Sequence, residues 1–167
     1  INAPLAGLHQ AMNIAPAILI ARELGMTNAE IISQCQSLSL ENAGFLILPL
    51  GLSIIINDSY SSNPDGFKAA LEFLSTYHDL TKIVLTRGLL ELGRESARIH
   101  REIGEKIGAI GAELIIISPD TAKPLQEGFN RYGKISRTIY NADDQLRYLK
   151  TLKTTKSVIL VENRLSA

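Results

Sequence analysis

With a single cysteine, Cys35, the 167-residue chain cannot close an internal disulfide. Its fold must rest on packing and hydrogen bonding, and the composition fits a reducing, cytoplasmic compartment. Neither sign of charge is in surplus, since 17 Lys and Arg balance 17 Asp and Glu. That argues against a nucleic-acid binder, which would carry a basic footprint. No apolar run reaches the roughly 20 residues of a membrane span, and no basic N-terminal region leads into a signal-like core. A starting methionine is also lacking, so Ile1-Asn2-Ala3-Pro4 reads as a segment of a longer protein. No His, Cys and carboxylate set has metal-ligand spacing, and no serine sits in a G-x-S-x-G elbow. No metal site is therefore expected, and no serine is marked out as a nucleophile by its motif. Gly128 to Lys134 follows phosphate-loop spacing, but Ile135 stands where a hydroxyl would have to reach Mg²⁺. That run reads as a helix ended by Gly133.

What is present is organised around Ile54 to Ala70. Three isoleucines form a run suited to a buried strand. A polar loop follows, and Asn63-Pro64 has the form of an N-cap with proline at the first helical position. Phe67, Ala70, Leu71, Leu74 and Tyr77 then fall at helical spacing over about 64–77. Upstream, residues 9–24 are helical with Pro16 as an interruption, and Thr27 to Glu30 has capping-box spacing for a second helix. The period is lost between Leu38 and Gly44, which places a domain boundary there. Strands are expected at 45–50, 53–56, 82–85, 114–117 and 158–161, with a short one near 135–140. Helices are expected along Ile99, Ile103, Ile107 and Ile110, at about 121–132 and at about 143–152. Alternating strands and helices imply a mostly parallel sheet in a three-layer α/β domain over 41–167, after a helical segment over 1–40. The chain stops where a closing helix would be expected.

In such a sheet, ligands bind beyond the carboxyl ends of the strands. Asp58, Ser59, Ser62 and Asn63 would present polar groups there. Asp58 could accept ribose hydroxyls, hold an ammonium group, or merely organise an Asx-type turn. Asn63 is first an N-cap, and Tyr60 packs over the crevice or into the core. Glu91 lies beyond the next strand in the chain, facing the same crevice, with Arg87 as a nearby positive charge. His9 and Asn13 stand one helical turn apart. His100, among Arg98, Arg101 and Glu102, is placed on the polar side of its helix, and His78 follows the organising helix.

Asn57-Asp58-Ser59-Tyr60-Ser61-Ser62-Asn63-Pro64-Asp65 resembles the D-D-S-Y-N-A-N-P-D segment of the Mur ligase family. Gly7 to Asn13 is similar to that family's G-x-H-N-x-x-N, and Thr86 to Gly93 to its G-x-x-x-E-L-G region. The likeness is nearest to the branch that adds D-alanyl-D-alanine. It implies a Rossmann-like C-terminal domain preceded by the tail of a central ATP-binding domain. It further implies a monomeric, ATP- and Mg²⁺-dependent ligase of peptidoglycan precursor synthesis. The γ-phosphoryl of ATP activates a carboxylate of a UDP-linked muramyl peptide, and the amine of a D-amino-acid dipeptide attacks the acyl phosphate. The phosphate cradle and most Mg²⁺ ligands would lie upstream of Ile1, so this piece would be inactive alone. By resemblance, His9, Asn13 and Asp58 contact nucleotide, while Tyr60, Ser62, Asn63 and Glu91 contact substrate. Two departures stand out: Asn42-Ala43 replaces a G-R pair, and Glu162-Asn163-Arg164-Leu165 replaces K-G-S-R. They leave open a folylpolyglutamate- or cyanophycin-synthetase-like ligase, or a non-catalytic Rossmann-like binding module.

Overall fold

The computed structural model describes residues 8–38, 45–59 and 63–162. The chain forms two compact units, Ile1–Ala43 and Gly44–Ala167. In the first, α1 (Leu8–Glu23) and α2 (Asn28–Gln36) flank an open apolar groove of about 640 Å³, lined in part by Ile18, Met26, Ile31 and Cys35. The expected interruption at Pro16 does not occur, because α1 runs through it. Proline removes one hydrogen bond to the carbonyl four residues back, here that of Met12. Met12 is 70% exposed, so water can serve that carbonyl and the helix continues. The capping box at the start of α2 forms: the Thr27 amide donates to Glu30 Oε2 at 2.8 Å, and the Glu30 amide donates to Thr27 Oγ1 at 3.3 Å.

The second unit is built on a six-stranded sheet of order β1-β2-β6-β3-β4-β5. Its strands are β1 (Leu46–Leu50), β2 (Ser53–Asp58), β3 (Thr81–Thr86), β4 (Glu113–Ile116), β5 (Arg137–Thr138) and β6 (Ser157–Glu162). Only β1 pairs antiparallel, folding back on β2 through the turn at Gly51; the other pairings are parallel. β6, the last strand in sequence, lies between β2 and β3, and all six of its residues are buried. Its uninterrupted Val158-Ile159-Leu160-Val161 run is what a strand covered on both faces requires.

Alternation along the strands sorts the core into two faces. Ile83, Leu85, Ile115, Ile159 and Val161 form one cluster, against which Tyr148 and Leu149 of α6 (Ala142–Thr151) pack. The opposite face carries Ile56, Val84, Leu114, Ile116, Val158 and Leu160, all 1% exposed or less. α3 (Pro64–Ser75) covers it with Phe67, Ala70, Leu71 and Leu74, together with α4 (Ser96–Ala109). α3 starts as the sequence predicts, with Asn63 Oδ1 accepting the Gly66 amide at 2.8 Å and Pro64 at the first helical position.

α4 shows two stripes rather than one. Ile103 and Ile107 are fully buried, as their spacing predicts. His100, Gly104 and Gly108 make a second buried stripe, so the placement of His100 on a polar face is corrected: it is 0% exposed. The cause is α5 (Pro119–Phe129), which lies directly along these small residues. A Cβ on Gly104 would sit 2.2 Å from the Leu125 carbonyl oxygen, and one on Gly128 would sit 2.0 Å from that of Arg101. The run from Gly128 to Lys134 is accordingly a helix end packed on α4. α5 passes into a short 3₁₀ turn, which Gly133 closes at φ +67°.

This contact gives a direct test. Gly104→Ala or Gly128→Ala should each destabilise the domain by about 1–3 kcal/mol through overpacking, despite the higher helix propensity of alanine. Chemical denaturation of each variant checks the sign, since propensity alone would produce stabilisation.

Candidate functional site

The parallel register brings four strand ends to one edge of the sheet. Asp58 of β2 stands opposite Glu162 of β6, Glu162 opposite Thr86 of β3, and Thr86 opposite Ile116 of β4. Strand alternation turns Asp58, Glu162 and Thr86 to the same face as Ile56, Leu160 and Val84, the face covered by α3 and α4. The N-terminus of α3 and the residue before α5, Ser118, follow from β2 and β4 at this same edge.

Asp58 is half-buried and Glu162 fully buried. Their positions are paired across adjacent strands, so the two carboxyl groups stand side by side on one face. Burial pushes the Asp58 carboxyl from 3.8 up to about 6, and the hydrogen bond with Glu162 acts in the opposite sense. Asp58 lies within β2 as its last residue, half-buried at the carboxyl edge. Its charge changes in the mildly acidic range, beside the fully buried Glu162. Such a pair can receive an ammonium group, accept hydroxyl hydrogens, or give and take a proton near neutrality.

Next to the pair, Thr86 Oγ1 accepts the Gly88 amide at 2.9 Å, and Thr121 Oγ1 of α5 donates to the Arg87 carbonyl at 2.6 Å. These bonds fold back the segment after β3. Arg87 is half-exposed, and Glu91 is exposed with a left-handed backbone, φ +60°. Glu91 lies beyond β3, the next strand in the chain after β2, but within the sheet β6 stands between those two strands. The acid facing Asp58 is Glu162. The sequence carried one signal for it, an acid closing an otherwise apolar strand, but not which strand would be its neighbour.

The other expected residues are placed as follows. Asn63 Oδ1 is engaged as the α3 cap. Asn13 is exposed on α1, four residues beyond His9 on the same helix. Tyr60 and Ser62, like Ala43, lie outside the described residues. Among the described residues, no three of His, Cys, Asp and Glu gather as a metal site, and no helix is long and apolar enough to cross a membrane.

Comparison with known proteins gives this edge a context. The chain is 28% identical over 116 residues to a UDP-N-acetylmuramoyl-tripeptide--D-alanyl-D-alanine ligase of Haemophilus influenzae, covering 69% of this chain and 25% of that protein. It is 25% identical over 163 residues to the ligase of the same name from Rickettsia prowazekii, covering 97% of this chain and 36% of that one. Among solved structures, a MurF from Acinetobacter baumannii superposes with a TM-score of 0.82 at 19% identity, over 98% of this chain and 36% of its own. MurF from Thermotoga maritima, solved with ADP, reaches 0.73 at 21% identity, over 94% of this chain and 35% of its own. The chain thus spans a quarter to about a third of the length of these relatives. The family profile described as "Mur ligase, glutamate ligase domain" matches residues 50–162, from the end of β1 to the end of β6, with Asp58, Thr86 and Glu162 inside it. On that match the chain belongs to the Mur ligase family, through its glutamate ligase domain.

Proposed function

We propose that this chain is one part of an ATP-dependent amide-bond-forming ligase of peptidoglycan precursor synthesis. The whole enzyme would join the amine of D-alanyl-D-alanine to a carboxylate of a UDP-linked muramyl peptide, in the cytoplasm and as a monomer. Support comes from the family match and from relatives that carry this activity in their names. The nucleotide reading is supported by a fold neighbour solved with ADP. When bound, ATP supplies the phosphoryl group that activates the carboxylate. Residues 1–40 would be the tail of the central ATP-binding domain, with His9 and Asn13 toward nucleotide. The phosphate cradle and Mg²⁺ ligands would belong to another part of the polypeptide.

The observation that carries the reading on this chain is the Asp58–Glu162 pair at the carboxyl edge. Its chemistry favours a cationic or hydrogen-donating partner over an anionic one. It therefore suits the incoming ammonium group, or ribose hydroxyls of the nucleotide, and is unsuited to the carboxylate being activated. Tyr60, Ser62, Asn63 and Glu91 would line the approach. A closed edge would also shield a hydrolysable acyl phosphate from water.

Two experiments follow. In the intact ligase, Asp58→Asn keeps the shape and removes the charge. Loss of a charge-assisted hydrogen bond worth about 1.5–3 kcal/mol should lower kcat/KM roughly ten- to a hundredfold. Stability should move the other way. A carboxyl raised from 3.8 to about 6 binds its proton more tightly in the folded state, so Asp58 lowers stability as pH rises through that window. Asp58→Asn should raise Tm at pH 7–8 and leave it nearly unchanged at pH 4. Unaltered amide-forming kinetics would reduce Asp58 to a structural acid. Separately, this chain by itself should show no tight ATP binding by calorimetry, because Ile135 and the helical setting of Gly128 to Lys134 leave no phosphate loop in it.

A further inference from the structure

His100 is the one fully buried titratable side chain on the helices of the second unit among the described residues. Both ring nitrogens are engaged by backbone groups that allow only one role each. Nδ1 lies 2.7 Å from the Ser96 carbonyl, which can only accept, so Nδ1 carries the hydrogen. Nε2 lies 2.9 Å from the Leu89 amide nitrogen, which can only donate, so Nε2 presents its lone pair. The ring is therefore a neutral imidazole of defined tautomer. An imidazolium would set two N–H groups against each other at Leu89.

Leu89 belongs to the segment that folds back from β3 at the Asp58–Glu162 edge. Gly88, at φ +80°, lies against the ring: a Cβ there would fall 2.6 Å from Nε2 and 2.8 Å from Thr121 Cβ and Cγ2. Thr86, Thr121 and His100 each hold one backbone group of Arg87 to Leu89. Two of these holds are hydroxyls that do not titrate near neutrality. The third does.

We propose that His100 is a positioning residue for the β3–α4 segment: its neutral ring holds the Leu89 amide and so places Arg87 and Glu91 at the carboxyl edge, and protonation of the ring releases them. The inference deepens the ligase reading and, for its effect on catalysis, rests on it. The ring's surroundings are uncharged, namely Ser96 from its own helix, Gly88 and Leu89 from the segment, and Thr121 from α5. Of the charged groups on the packed elements, which also include Glu72, Lys106 and Lys123, several are committed elsewhere. Arg98 pairs with Glu95 and Glu102, Arg101 with Glu127 of α5, and Lys68 of α3 with Asp65, while Asp120 of α5 accepts from Ser118. Arg87, Glu91 and Arg94 are the further charges on the segment itself. Burial lowers the His100 pKa from 6.5, opposed by the Ser96 carbonyl. The hold is therefore complete above pH 6.5 and is lost as the pH falls toward the lowered value.

The test uses the intact polypeptide in wild-type form and as His100→Gln, whose amide oxygen can accept the Leu89 amide but does not titrate, and His100→Leu, which has no acceptor. Hydrogen-exchange protection of the Leu89 amide, corrected for intrinsic rates, should fall in wild type between pH 7.5 and pH 5. It should stay flat in His100→Gln and be low throughout in His100→Leu. Amide-forming kcat/KM should follow the same order, with His100→Leu down about tenfold at pH 8 and His100→Gln restored. Leu89 protection that is independent of pH in wild type, or equal in all three proteins, overturns the proposal. Equal kinetics alongside lost protection also overturns the positioning role while sparing the ligase reading. Absence of amide ligation by wild type overturns that reading, and the exchange data then still decide whether His100 holds the segment.

Discussion

The constraint on which this domain depends is the insertion of its last strand between two strands formed much earlier. β6 pairs with β2 on one side and β3 on the other, in parallel register on both. Parallel pairing puts the carboxyl ends of these three strands at one edge, and common register puts Asp58, Glu162 and Thr86 in one row on one face. A slip of one residue in either pairing would turn a member of the row to the opposite face. The register is secured by burial, since every residue of β6 is inaccessible and its apolar side chains alternate between two closed layers. Chemistry at the edge is thus a consequence of hydrophobic packing below it.

A second dependence runs through the helices. α4 and α5 approach until Gly104 and Gly128 meet facing backbone, which leaves no space for side chains between them. That approach buries His100 and brings Thr121 against the segment after β3. The same contact that stabilises the helical layer therefore shapes the loop bordering the acid pair. The opposite, amino edge of the sheet differs in character. There Ser53 Oγ donates within 2.7 Å of the carbonyls of Leu152 and Thr155, and the Ser157 amide donates to Ser53 Oγ. Polar groups at that end are consumed in joining β2, β6 and the turn after α6, which is a structural use.

The acid pair carries a cost in stability. A half-buried carboxyl raised to about 6 weakens the fold at neutral pH. Sites that hold ligands commonly carry such costs, because a group already desolvated interacts more strongly with an incoming partner. Glu162 closes an otherwise apolar buried run, so the polarity of this edge is set by the residue at the strand's end.

Local chemistry was legible in the residues alone. The Asn63-Pro64 start, the Thr27–Glu30 capping box, the apolar strand runs and the Ile103–Ile107 stripe each depend on neighbours within a few positions, and each element formed as read. The family likeness was legible for a related reason, since three short motifs retain their order. Position in space was not. Nothing in the residues from Ile54 to Thr86 states that β6 will part β2 from β3, so Glu162 was noticed as a departure and not as the partner of Asp58. His100 was placed among charged neighbours because a helix read alone shows one apolar stripe; only the docking of α5 reveals a second. Pro16 was taken as an interruption because the rule concerns the hydrogen bond, whereas exposure to water decides whether its loss matters. Sequence determined which elements form and the family they resemble, because those depend on local spacing and composition. Tertiary structure decided which titratable groups meet, because burial and proximity are set by strand order and helix docking between residues far apart in the chain.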